Sequence, residues 1–176
     1  MVNLQADRRS ALLCPWRIVL WGSALLALLS PLVAMQFSGE VNWSGGDFAA
    51  AALLFGMAGG AVELAICSRR KPAYRAGACL AVFAALLLVA ANLAVGIAGS
   101  ESDPANGWFM AVPLVGIVGA VRARLRAQGM MITMLAMAAM QMVAAVMAGW
   151  TIDVIAATVG FGTCWLVAAG LFRRAT

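Results

Sequence analysis

The stretch "NLAVGIAGSESDPANG" (Asn92–Gly107) leaves an apolar run and empties into a loop with two acids and no base. Its two halves suit different solvents. A chain that turns from apolar to acidic, with Lys and Arg withheld, reads as the outer end of a membrane span. The remaining sequence repeats that pattern.

Hydrophobic residues make up 64% of the 176-residue chain and charged residues only 11%. A soluble domain carries about a quarter charged residues, so one globular core cannot absorb this composition. Six apolar runs follow, at about 16–37, 47–67, 76–98, 106–121, 129–148 and 151–172, each near the roughly 17–25 residues of a span. The predicted fold is all-α, a single domain of six transmembrane helices over residues 1–176 with short loops. The fourth run is the weakest, because it holds Pro113 and ends early at Arg122. Pro31 and Pro113 are tolerable where neighbouring helices satisfy the freed carbonyls.

The charges orient the bundle. Six spans place all twelve bases on one side: Arg8, Arg9, Arg17, Arg69, Arg70, Lys71, Arg75, Arg122, Arg124, Arg126, Arg173 and Arg174. Lys and Arg are retained on the cytoplasmic side, so both termini are expected there. The opposite loops hold Glu40, Asp47, Glu101, Asp103 and Asp153 without a base. Trp43, Trp108 and Trp150 mark that outer boundary, and Trp16 and Tyr74 the inner one, as an aromatic belt does. The net charge of +5 is therefore topological and does not point to nucleic acid. Arg8 and Arg9 before Ile18–Val33 resemble a signal peptide, but "PLVAMQ" is a poor cleavage site, so an uncleaved first span is expected. Cys14 precedes the apolar run, unlike a lipoprotein cysteine.

Chemistry-bearing residues are few. There is no histidine, which removes the commonest metal ligand and neutral-pH base. Cys14, Cys67, Cys79 and Cys164 have no CxxC spacing, and no disulfide framework is expected. No nucleophile, base and orienting group assemble, and no Gly-rich phosphate loop follows a strand. Neither an enzyme nor a bound cofactor is expected. The fifth run holds seven methionines, with Met130, Met134, Met137 and Gln141 along one face. Thioethers bind Cu(I), but adaptable packing is the expected role.

Three polar features stand out. Glu63 lies six residues before Arg69, about 9 Å of helix from the boundary, and shares a face with Gly56 and Gly60. It is expected to face protein and to pair with Arg69, Arg70 or Arg17; the alternative is an ion or proton path. Asn92 begins the spacing Asn92-xxx-Gly96-xxx-Ser100, expected to hydrogen-bond across a tight helix contact rather than to bind a ligand. Gly56-xxx-Gly60 and Gly116-xxx-Ala120 are the other small-residue contacts expected. The acids, Asp47, Glu101 and Asp103 among them, read as a solvated face, or alternatively as a mouth that concentrates cations.

Two loops also match. "SGEVNWSGGDF" (38–48) and "GSESDPANGWF" (99–109) share Glu40 with Glu101, Gly46 with Gly107 and Phe48 with Phe109, each 61 residues apart. They suggest parallel repeats of the first two hairpins, 16–67 over 77–121.

"LLALLSPLVAMQFSGEVNWSGGDF" (25–48) and "NLAVGIAGSESDPAN" (92–106) resemble segments of small uncharacterised proteobacterial membrane proteins. That resemblance implies a polytopic protein of the bacterial inner membrane and transfers no activity or site. Ser30-Pro31 is faintly similar to the motif of SPW-repeat membrane proteins, with Leu32 where that motif has tryptophan. The expected function is an accessory or scaffolding protein acting through helix contacts. Its partners are the lipid bilayer and a larger membrane complex or a second copy, with no nucleic acid. The alternative is a small proton- or cation-coupled transporter using Glu63.

Overall fold

The computed structural model describes residues 15–37, 39, 42–100 and 102–176. Among them every regular element is helical: α1 (Pro15–Phe37), α2 (Gly45–Cys67), α3 (Pro72–Ala94), α4 (Asn106–Arg122), α5 (Ala127–Ala148) and α6 (Ile152–Ala175). Five of the six are long and apolar enough to cross a membrane, and α4 is the shorter exception. Its 17 residues rise about 25 Å, short of the roughly 30 Å hydrocarbon core.

Local chemistry sets the helix ends. Ser44 and Asp47 form a reciprocal capping box at α2: Asp47 N–H donates to Ser44 Oγ at 3.3 Å, and Ser44 N–H to the Asp47 carboxylate at 2.7 Å. Thr151 caps α6 by accepting from the Val154 N–H. Pro72 occupies the first turn of α3, where no N–H is needed. Within α1, Pro31 frees the Ala27 carbonyl, and the neighbouring Ser30 hydroxyl donates to it at 2.9 Å. The expected rescue by another helix is thus made by the residue next door.

The third run ends sooner than its composition predicts. α3 stops at Ala94, not near 98, and Gly96 takes φ +71°. The apolar residues Ile97 and Ala98 are buried in a turn instead of a helix, so hydropathy alone overextends the span. Asn92, Gly96 and Ser100 accordingly do not form one helical stripe.

The chain divides into two compact units, Met1–Glu63 and Leu64–Thr176. The first comprises α1 and most of α2. None of the residues of α1 is buried. The second is a four-helix unit in which α5 packs on both α4 and α6, and α3 packs on α6 and more lightly on α4. Its fully enclosed centre includes Leu88, Phe109, Val112, Val154, Trp165 and Phe172.

Close backbone approach holds these helices together, as expected in lipid. A Cβ on Gly77 of α3 would sit 3.2 Å from Leu171 Cβ of α6. On α4, Gly116 meets Met137 and Gly119 meets Thr133, both of α5. Ala120 packs against the same core, so Gly119 joins the expected Gly116-xxx-Ala120 pair. Gly56-xxx-Gly60 differs from expectation: a Cβ at either position would meet nothing within 4 Å among the described residues.

The matched loops agree in local register. Gly46 and Gly107 are each the second residue of a helix, and Phe48 and Phe109 the fourth. Their surroundings differ, since Phe109 is fully buried while Phe48 is half-buried edge-on to Trp43. Glu40 and Glu101 lie outside the described residues.

Candidate functional site

In α1 and α2 two short stripes face each other. Arg17 and Trp21 stand four apart on α1, and Gly59 and Glu63 four apart on α2, one helical turn in each case. The Trp21 ring lies on Gly59, its edge 3.0 Å from the point a Cβ would occupy. That absence of a side chain lets the indole reach Glu63. Trp21 Nε1–H donates to Glu63 Oε2 at 3.1 Å, while the Arg17 guanidinium pairs with Oε1.

Both carboxylate oxygens of Glu63 are therefore engaged by donors. The Arg17 and Glu63 side chains are only 25% and 21% exposed, so each relieves the other of an uncompensated charge in apolar surroundings. Glu63 faces protein, and of its three expected partners Arg17 is the one it meets. A cavity of about 290 Å³ lined by Arg17, Ile18, Trp21 and Glu63 opens onto the carboxylate.

The remaining sequence candidates have local surroundings of their own. Asp47 is occupied by Ser44 at the start of α2. Asp103 Oδ1 accepts from the Ala105 N–H at 2.8 Å, shaping the turn into α4. Both sit where unpaired N–H groups and the helix dipole favour negative charge. Asn92 does make a contact between helices: its Nδ2 donates to the Asn106 carbonyl at 3.1 Å.

Gln141 is fully buried, and neither its amide oxygen nor its nitrogen has a partner among the described residues. Met130, Met134 and Met137 are core residues of the same face. Thr158 Oγ1 and Trp165 Nε1 of α6 are also buried and have no partner among the described residues. Among the described residues no group of three or more His, Cys, Asp or Glu is placed to hold a metal ion.

Four residues gained importance only in three dimensions. Trp21 and Gly59 complete the Glu63 site; the four-residue spacings from Arg17 and Glu63 were their only signal. Asn106 organises the turn after α3, where its Oδ1 accepts from the N–H groups of Ile97 and Ala98 at 2.8 and 2.9 Å. Its Nδ2 donates to the Ser100 carbonyl at 2.6 Å. Tyr74 joins three segments of the four-helix unit. Its hydroxyl donates to the Leu125 carbonyl at 2.7 Å, its ring meets Phe172 edge-on at 5.1 Å, and Arg70 lies 4.4 Å over its face.

Comparison with protein-family models, with curated proteins and with solved structures returns no match for this chain.

Proposed function

We propose that this chain is a six-span protein of the bacterial inner membrane that serves as an accessory or scaffolding component. Both termini lie on the cytoplasmic side, and the α1–α2 hairpin provides the docking element. The observation that carries this reading is the engagement of Glu63 by Arg17 and Trp21. A carboxylate held in this way ties α1 to α2, whereas a proton carrier needs it to exchange with water. The surface of α1 supports the same reading, because Val19, Leu26 and Phe37 are exposed along a helix with no buried residue. Its partner is another membrane helix, from a larger complex or a second copy.

A second reading, a small proton- or cation-coupled transporter, draws support from the cavity beside Glu63. One variant separates the two. Glu63→Gln keeps an acceptor for Trp21 but cannot carry a proton. Under scaffolding it loosens the hairpin and lowers photocrosslinking from a probe placed at Leu26 to its partner. Under transport the fold is kept and a pH-dependent flux in reconstituted vesicles disappears; that result overturns the scaffolding reading. Topology has its own test, since an Asp103→Cys variant is expected to react with an impermeant reagent in intact cells. Reaction only after lysis rejects the six-span orientation.

A further inference from the structure

We propose that the groove between α4 and α5 binds one acyl chain of an anionic phospholipid, with Arg122 on its phosphate. The groove is an open trough of about 600 Å³ along the two helices. Gly119 and Gly129 form part of its floor, and Leu114, Val118 and Ile132 stand exposed along its sides. Thr133 is the neutral polar side chain in the lining, and its hydroxyl is committed to the Gly129 carbonyl at 2.9 Å. Polar recognition inside the groove is therefore left to Arg122.

Arg122 ends α4, and it has no acid partner among the described residues. From Ala111 to Arg122 the lining covers about 16 Å of helix. A trough of this length with a cation at one end matches an amphiphile with an extended tail and a negative head. The surroundings select against a zwitterionic head. Arg124 and Arg126 follow in the adjoining turn, and no acid occurs in the sequence between Asp103 and Asp153. A choline or ethanolamine group beside these arginines meets like charge, while a net-negative phosphodiester meets opposite charge. This site is independent of the hairpin that carries the proposed function.

The test is native mass spectrometry of the full chain in mild detergent, with dioleoylphosphatidylglycerol, dioleoylphosphatidylcholine or glycerol 3-phosphate added. Phosphatidylglycerol is expected to be retained about tenfold better than phosphatidylcholine, because only the latter brings a choline cation against the arginines, and glycerol 3-phosphate not at all. Arg122→Gln is expected to abolish the preference and Arg122→Lys to restore most of it. Ala136→Trp, which fills the groove from an exposed position, is expected to reduce retention of both lipids. Equal retention of the two lipids by the unaltered chain overturns the proposal. So does a preference that survives Ala136→Trp, or binding of glycerol 3-phosphate as strong as that of the lipid.

Discussion

Asn92 on the last full turn of α3 donates its side-chain amide to the backbone carbonyl of Asn106, the first residue of α4, at 3.1 Å. The two asparagines are unequal partners. Asn92 leaves its own Oδ1 buried and without a partner among the described residues, so its single bond is partly offset. Asn106 satisfies two buried N–H groups and the Ser100 carbonyl at once. Asn92→Ala is expected to cost about 1 kcal/mol and Asn106→Ala about 2–4 kcal/mol, because the latter strands several buried groups. Thermal unfolding in detergent measures both, and equal losses reject the hub role of Asn106.

The Arg17–Glu63 pair lies between the buried and exposed regimes, so removing one partner is expected to cost about 2 kcal/mol. Arg17→Gln and Glu63→Gln together are expected to be more stable than the sum of the single changes implies. A double-mutant cycle on hairpin stability measures this coupling, and strict additivity shows that the pair contributes nothing.

The glycines of α2 and α4 separate contact from mere composition. Gly119→Ala drives a methyl group into Thr133 and is expected to cost about 1–3 kcal/mol. Adding Thr133→Ala recovers part of that loss. Gly56→Ala meets open space and is expected to be neutral or to stabilise by about 0.5–1 kcal/mol. The same unfolding assay ranks all three, and a larger loss at Gly56 than at Gly119 contradicts this packing.

Tyr74 secures a strained turn. Arg124 and Leu125 hold φ of 46° and 55°, the left-handed region that favours glycine. Tyr74→Phe, which removes the bond to the Leu125 carbonyl, is expected to cost about 1 kcal/mol and to speed tryptic cleavage after Arg124. Leu125→Gly is expected to slow that cleavage by relieving the backbone. Unchanged cleavage in both variants rejects the tether.

Local chemistry alone accounts for the helical class, for the six helices among the described residues and for most of their limits. Apolar runs and turn residues act within a few neighbours, so composition read along the chain registers them directly. It also singled out Glu63 and Asn92, because a polar side chain in an apolar run demands a partner wherever the helices lie. Which partners those are follows from the packing of the helices. Arg17 prevailed over Arg69 and Arg70 because Gly59, one turn from Glu63, admits the Trp21 ring and sets α1 against α2 at that level. Among the described residues Gly119 made a contact and Gly56 did not, although both are glycines in apolar helices. Ile97 and Ala98 left the helix their hydropathy favours because Asn106, across the turn, takes their N–H groups. Such outcomes depend on what arrives from distant sequence, and the chain's local chemistry carries no record of that arrival.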